Sequence, residues 1–316
     1  MMFEPSFATL AAGIIQTLVL MTFSPLLTGV MRKVKARSQK RMGASILQPY
    51  YDIVKLMRKD EVISDQTSWI FKSAPWINFA AVATAALFVP VMLAYSPFSL
   101  AGDVLLVIGL FSLARFFTVL SGLDSASAFG GLGSSREMML SSLIEPALFL
   151  TIFTVSLTFG ATNITTLVSS AAGLQQLVTP SLLFALISMF VIVIAETGRL
   201  PFDNPATHLE LTMVHEAMVL EYSGKLLALI EWAQSIKHLT LLALMINIFF
   251  PWGVATSLSA AAVGEGLLVF TAKALAIGVI IAFIETRVAK WRLFRIPDLI
   301  AIAIASSMVG IVFFYI

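Results

Sequence analysis

The chain alternates between long apolar segments and short polar connections. Apolar windows of roughly 20 residues, the length that crosses about 30 Å of hydrocarbon as a helix, occur near residues 7–30, 74–95, 103–121, 136–159, 180–198, 226–250, 262–286 and 297–316. The mean hydropathy is +0.94, and 59% of the residues are hydrophobic while 12% are charged. Such values are typical of polytopic membrane proteins. The pattern predicts a single all-α integral membrane domain over residues 1–316 with about eight transmembrane helices.

Basic residues are distributed unevenly over the connections. Ten Lys and Arg residues separate the first two predicted spans and four separate the last two, whereas the connections near 96–102, 160–179 and 251–261 contain neither. Because Lys and Arg are enriched on the cytoplasmic side, both termini are expected outside and the long loops 31–73, 199–225 and 287–296 in the cytoplasm. The first segment is followed by Arg32 and Lys33, which favours a retained helix over a signal peptide. We expect a multi-pass protein of the inner (cytoplasmic) membrane.

The loop 199–225 is unusually rich in titratable groups. The stretch 195–224 contains five of the eighteen carboxylates and two of the three histidines. Asn204 before Pro205 is typical of a helix start and Gly224 of a helix stop, so a helix from about 205 to 222 is predicted. On it, His208 and His215 would lie about 10 Å apart, too far to bind one metal ion, and no metal site is expected. Candidate junction residues of this loop are Arg199, Asp203, His208, Glu210, His215, Glu216, Glu221 and Tyr222.

Ionisable residues also occur inside the predicted spans, where a single charge at mid-bilayer costs at least ~2.5 kcal/mol. Glu137 and Glu145 lie about 12 Å apart on one face of a helix, which suits a relay through water or through carboxylates of neighbouring helices. Ion pairs that only join the helices are the alternative. The candidate relay residues are Glu137, Glu145, Glu196, Glu231, Lys237, His238 and Lys273.

The absence of cysteine restricts the chemistry of the chain. Without a thiolate it cannot ligate an iron–sulfur cluster or a thiolate zinc site. Redox chemistry linked to the chain must therefore take place on other subunits. In the first long loop, the stretch from Gln48 to Asp60 alternates apolar and charged side chains at near-helical spacing, which predicts a short interfacial amphipathic helix.

Several short motifs occur in one order along the chain. The most specific are Glu196-Thr-Gly-Arg-Leu-Pro-Phe-Asp203, Glu210-Leu211 and Glu221-Tyr-Ser-Gly224; others are Ser121-Gly-Leu-Asp124, Gly133-Ser-Ser-Arg-Glu137 and Glu145-Pro146. With these motifs the chain resembles the membrane-anchor subunit family shared by respiratory complex I (NADH-quinone oxidoreductase) and by energy-converting membrane-bound nickel–iron hydrogenases, including formate hydrogenlyase. The motifs at 121–124 and 133–137 are more similar to the hydrogenase branch. Ala206, His208 and His215 depart from the family pattern.

The resemblance implies a non-catalytic subunit that anchors and couples an oxidoreductase complex. Its partners would be hydrogenase-like large and small subunits and iron–sulfur subunits at the cytoplasmic face, which carry the nickel–iron centre and the clusters, and antiporter-like membrane subunits. The chain would contact lipid but no nucleic acid, hold no cofactor itself, and link electron transfer to proton or sodium translocation. Residues for docking of the peripheral arm would be Arg37, Arg41, Asp52, Lys55, Arg136, Arg292 and Arg295.

Two alternatives stay open at this point. The chain could be the quinone-site subunit of an NADH-quinone oxidoreductase, with an isoprenoid quinone in a cavity beside the loop 199–225. It could also be an independent secondary transporter that uses the same buried charges for ion coupling.

Overall fold

The computed structural model describes residues 7–94, 102–171, 179–203, 213–255, 257 and 259–316. Of the residues in those ranges, 78% are helical and none forms a strand. The helices are α1 (Phe7–Ser38), α2 (Gln48–Met57), α3 (Trp69–Phe88), α4 (Val104–Asp124), α5 (Ala128–Phe159), α6 (Ile164–Ala171), α7 (Pro180–Glu196), α8 (His215–Val219), α9 (Gly224–Phe249), α10 (Ala260–Arg287) and α11 (Ile296–Tyr315), with a 3₁₀ turn at Leu293–Arg295. The all-α class predicted from the sequence is confirmed.

Six helices of the described chain are long and apolar enough to cross a membrane: α1, α3, α4, α5, α10 and α11 with its preceding turn. The shorter apolar helix α7, with 17 residues, brings the number to six or seven. The 26-residue α9 is also long, but its first 14 residues contain Lys225, Glu231 and Lys237. An eighth span formed by α9, and the location of both termini outside, stay predictions.

The helix α5 begins at Ala128 instead of near 136, because its glycines are part of the helix. A Cβ atom at Gly130 would lie 2.3 Å from the backbone oxygen of Gly122 on α4, and one at Gly133 would lie 2.9 Å from the backbone oxygen of Val214. Small residues allow such close backbone approach between membrane helices. The glycine-rich stretch is therefore a packed interface.

The helix predicted from 205 to 222 is only partly confirmed over its described part, residues 213–222. Only His215–Val219 are helical, and Gly224, with φ +55°, begins α9 instead of ending a helix. The Oδ2 atom of Asp203 accepts hydrogen bonds from the backbone N–H groups of Val214 and His215 at 3.2 and 3.3 Å, which fixes a turn where continuous helix was expected. Residues 204–212, with His208 and Glu210, lie outside the described residues.

One end of the bundle, here called the basic end, contains the last turns of α1, α7 and α10 and the first turns of α3, α9 and α11. The amphipathic α2 lies there, as predicted, and packs against α1 and α9. At the opposite end, residues 89–94 and 250–255 close the bundle. The Asn247 amide donates to the Pro90 oxygen at 2.5 Å, and Leu93 and Ala255 form an isolated parallel bridge.

Candidate functional site

A cluster of five charged side chains lies between α4, α5, α7 and α9 near the basic end. Arg115 of α4 is at its centre and contacts three carboxylates: Glu137 at 3.3 Å, Glu145 at 2.8 Å, and Glu196. Lys237 of α9 pairs with Glu196 at 2.7 Å. We call these five residues the charge cluster.

The charge cluster is buried to different degrees. The side chain of Glu196 is 2% exposed, and those of Glu137 and Glu145 are 23% and 33% exposed. Two cations therefore hold the most buried carboxylate, whereas each of the two more accessible carboxylates contacts Arg115 alone among the cluster's cations. The Ser112 hydroxyl also donates to Glu145 at 2.9 Å. Glu137 has the longest ion pair and is the least tightly held carboxylate of the cluster.

A second group of charges surrounds Glu285 of α10. Its carboxylate pairs with Lys35 at 2.9 Å and with Arg199 at 3.4 Å. The Arg199 guanidinium also lies 3.1 Å from Nδ1 of His238. Burial lowers the pKa of Arg199, and the negative charge of Glu285 opposes that shift. Arg199 thus links α10 to α9 at the point where the chain leaves α7.

A polar cavity of about 160 Å³ separates the two groups of charges. Its walls include Arg199, Glu231 and His238, together with Asp203, His215, Glu216 and Glu285. A smaller cavity of about 50 Å³ is lined by Arg115, Glu137, Glu196 and Lys237. Gly198, His215 and Gln234 line both cavities. The polar cavity therefore borders the charge cluster through these three residues.

Asp203 holds the loop after α7 against the ends of two other elements. Its Oδ1 pairs with Lys290, which follows α10, at 2.8 Å. Its Oδ2 accepts from the backbone at the start of α8. The Trp291 N–H donates to the Pro201 oxygen at 3.2 Å, so the loop is fixed on both sides. The predicted junction residues Arg199, Asp203, His215 and Glu216 are thereby brought to one cavity.

A third cavity, of about 260 Å³, lies beneath α2. Apolar side chains of Pro49, Ile53, Leu56 and Leu227 line one part of it, and Arg32, Asp52 and Glu231 line another. Thr28, Arg32, Glu231 and Ser235 are shared with the polar cavity. We call this space the α2 cavity. Together the three cavities form a series from α2 to the charge cluster.

The structure separates some predicted site residues from this series. Lys273 lies apart from the other six relay candidates and donates to the backbone oxygens of Phe250 and Trp252. Glu221 is exposed. Tyr222 is buried, and its hydroxyl donates to the Phe71 oxygen at 2.8 Å. Burial raises the pKa of Tyr222, which keeps the hydroxyl a donor.

The residues predicted to dock a peripheral arm lie mostly at the surface of the basic end. Arg37, Arg41, Lys55, Arg292 and Arg295 are exposed. Asp52, by contrast, contacts Arg32 at 3.9 Å and Gln48 at 2.9 Å within the chain, and Arg136 donates to the Met213 oxygen at 2.9 Å. Asp52 and Arg136 therefore stabilise the chain's own loops as well.

Four residues at the site were absent from the predicted site: Arg115, Glu285, Lys35 and Lys290. Arg115 and Glu285 are charges inside or at the end of apolar segments, which is the signal that could have identified them. Lys35 and Lys290 lie in basic stretches where the sequence gives only an orientation signal. Their carboxylate partners, Glu285 and Asp203, are distant in sequence.

Comparisons with known proteins agree on one family. The model of the NADH dehydrogenase family matches residues 11–315. Formate hydrogenlyase subunit 4 of Escherichia coli (strain K12) is 35% identical over 281 residues, covering 89% of this chain and 90% of that protein. Hydrogenase-4 component C of the same organism is 35% identical over 278 residues, covering 88% and 87%. A subunit of the NADH-quinone oxidoreductase of Rickettsia prowazekii (strain Madrid E) is 30% identical over 205 residues, covering 63% and 60%.

A solved structure shares the fold at lower identity. A chain of the membrane-bound sulfane sulfur reductase, an archaeal respiratory membrane complex, superposes with a TM-score of 0.81 at 20% identity, covering 95% of this chain and 99% of that one. The likeness extends over all the helices that position the charge cluster. This chain is an integral membrane protein related to subunits of membrane oxidoreductase complexes, and it belongs to the NADH dehydrogenase family.

Proposed function

We propose that the chain is the anchoring and coupling subunit of a membrane-bound hydrogenase-type complex. It would join a peripheral module, which holds a nickel–iron centre and iron–sulfur clusters, to ion translocation in the membrane. The observation that carries the proposal is the series of cavities that leads from the basic end to the buried charge cluster. The chain couples and does not itself catalyse, since it has no cysteine with which to ligate a cluster.

Charge balance gives the cluster a means of exchanging a proton. Two cations, Arg115 and Lys237, face three carboxylates, so the fully ionised cluster carries a net charge of −1. Binding one proton would neutralise it. Glu137 and Glu145, each held by fewer cations than Glu196, are the carboxylates that take and release this proton.

Coupling requires that redox chemistry changes the affinity of the charge cluster for that proton. A charge that moves against 100 mV requires about 2.3 kcal/mol, so an event at the basic end must shift the cluster's proton affinity by a comparable amount. The polar cavity lies between the basic end and the charge cluster, and its walls include Arg199, His215, Glu216 and Glu231. A change in electron density or in loop position beside Asp203 would act on the charge cluster through them.

The basic end is the face proposed to bind the peripheral module. Exposed Arg37, Arg41, Arg292 and Arg295 provide positive charge at the basic end, which steers an acidic partner surface. By the positive-inside rule this face is cytoplasmic and the membrane is the inner membrane. Antiporter-like subunits would contact the chain within the membrane, and the translocated ion is a proton or sodium.

The quinone-site function is the second candidate, because the α2 cavity could hold part of a quinone. Its apolar side, with Pro49, Ile53, Leu56 and Leu227, suits an isoprenoid chain, and its polar side meets Arg32 and Glu231. A largely apolar cavity with few polar groups is typical of a small-molecule site. No feature of comparable weight in the described chain supports an independent transporter, and its relatives are subunits of complexes.

Purification of the tagged chain from its native membrane tests the proposal. We expect iron–sulfur and nickel–iron subunits to be recovered with it, with nickel measured in proportion to the chain. Recovery of the chain without any such partner contradicts the proposal. A stoichiometric isoprenoid quinone, together with inhibition of electron transfer by quinone-site inhibitors, would favour the second candidate. Ion uptake into liposomes that contain the chain alone would favour a transporter.

A further inference from the structure

The polar cavity and the smaller cavity beside the charge cluster meet at Gly198, Gln234 and His215. Gly198 has no side chain, and the side chain of Gln234 is an amide, which can donate and accept hydrogen bonds but carries no titratable proton. An imidazole can accept a proton at one ring nitrogen and release another from the second nitrogen. Among the described residues, His215 is therefore the one titratable side chain that lines both cavities.

A narrow space of about 20 Å³ extends the contact of His215 with the charge cluster. His215 lines it together with Arg115, Glu137 and Glu196. Glu137 thus shares the walls of two spaces with His215, whereas Glu145 is not among the described residues that line either one. Since Glu196 is held by two cations, Glu137 is the carboxylate of the charge cluster that can exchange a proton with His215.

On the side of the polar cavity, two acidic side chains share the walls with His215. They are Glu216 and Glu231, and the Glu231 carboxylate interacts electrostatically with both His215 and Glu216. A water molecule requires a cavity of about 10–15 Å³ and two to four polar partners. The volumes of about 160 and 50 Å³ therefore leave room for waters that bridge the imidazole to carboxylates on both sides. The cations that line the polar cavity are Arg32, Lys35 and Arg199.

The backbone fixes the position of His215 without help from its ring. The N–H group of His215 donates to Oδ2 of Asp203 at 3.3 Å. The preceding residue, Val214, packs its carbonyl so closely on α5 that a Cβ atom at Gly133 would lie 2.9 Å from the oxygen. Removal of the imidazole should therefore leave the loop and α8 in place.

We propose that His215 transfers protons between the polar cavity and Glu137. One ring nitrogen accepts a proton that leaves Glu231 through water in the polar cavity. The proton on the other ring nitrogen passes through water in the smaller cavity to the carboxylate of Glu137. Glu231 thereby loses one proton and Glu137 gains one, while the imidazole keeps its charge. The inference rests on the proposed function, because it requires that Glu137 takes up and releases a proton during turnover.

Charge movement by the whole complex in liposomes, followed with a voltage-sensitive dye, tests this role. We expect the initial rate to fall about tenfold or more in His215→Ala and in His215→Gln, since a positioned acid–base group contributes about 10²–10⁴-fold to proton transfer. Imidazole added to the solution should restore much of the rate in His215→Ala, where the missing ring leaves room for it. It should not raise the rate of the unmodified complex, which is the control.

Glu137→Gln separates this inference from the proposed function. Its charge movement should stop, with or without imidazole. If it stops while both His215 variants keep the unmodified rate, the inference is overturned and the proposed function stands. A slow His215→Ala complex that imidazole does not accelerate also overturns the inference, because the ring would then only stabilise the structure. An unmodified rate in Glu137→Gln contradicts the proposed function and the inference together.

Discussion

Replacement of Arg115 by Met should destabilise the chain. Arg115 is the shared partner of Glu137, Glu145 and Glu196. Its loss leaves Lys237 as the sole cation of the cluster, and Glu137 and Glu145 then contact no cation of the cluster. Breaking a buried ion pair by removing one partner typically costs about 3–5 kcal/mol. Because the side chains of Glu137 and Glu145 are 23% and 33% exposed, we expect the free energy of unfolding to fall by about 3 kcal/mol, the lower limit of that range.

Equilibrium unfolding of the purified chain in mixed micelles, with increasing sodium dodecyl sulfate, measures this free energy. The control Arg292→Met removes an exposed arginine and should change stability by less than about 0.5 kcal/mol. The double variant Arg115→Met/Glu145→Gln removes one of the two carboxylates left without a cation and should recover part of the loss. A loss below about 1 kcal/mol for Arg115→Met would contradict the role of Arg115 as the shared partner of the three carboxylates.

Two further substitutions test the basic end of the fold by the same unfolding assay. Tyr222→Phe keeps the ring stacked on Phe71 at 4.0 Å but removes the hydrogen bond to its buried oxygen, and should cost about 1 kcal/mol; an unchanged stability would show that this bond contributes nothing. Gly224→Ala should cost about 1–3 kcal/mol, because φ is +55° and a Cβ would lie 2.7 Å from the Asp60 oxygen. Gly109→Ala, with no atom within 4 Å of the added Cβ, should be neutral or stabilising.

The sequence predicted the helices well because apolar length is a local property. Residues 297–316 and 180–198 were predicted as spans, and helices occur at Ile296–Tyr315 and Pro180–Glu196. The ends of the helices were harder to predict, since they depend on tertiary contacts. The start of α5 at Ala128 rests on the close approach of Gly130 to α4, which no local propensity encodes.

The residue types of the candidate site were predictable from the sequence, but the ion pairs that join its helices were not. Helical spacing placed Glu137 and Glu145 on one face, and the structure brings both to Arg115. The cation that joins them comes from another helix, so spacing within one helix could not identify it. The separation of Lys273 from the other relay candidates likewise depends on the path of the chain after α9. There the backbone oxygens of Phe250 and Trp252 accept hydrogen bonds from Lys273.

The polar loop illustrates the limit of capping signals. Asn204-Pro205 and Gly224 are typical of a helix start and stop, yet Gly224 begins α9. Asp203 satisfies the backbone at Val214 from across the loop, and such a non-local hydrogen bond outweighs the local signal. The roles predicted for His208 and Glu210 stay predictions.

The number of protons moved per electron tests most directly whether the charge cluster couples electron transfer to ion movement. The whole complex in liposomes would be assayed for electron transfer and for pH change with an enclosed dye, comparing Glu137→Gln and Glu145→Gln with Glu265→Gln, which alters an exposed carboxylate of α10. We expect assembly and electron transfer in all three variants, with proton movement lost in the first two only. An unchanged ratio in both cluster variants would contradict it and leave these charges as ion pairs that join the helices.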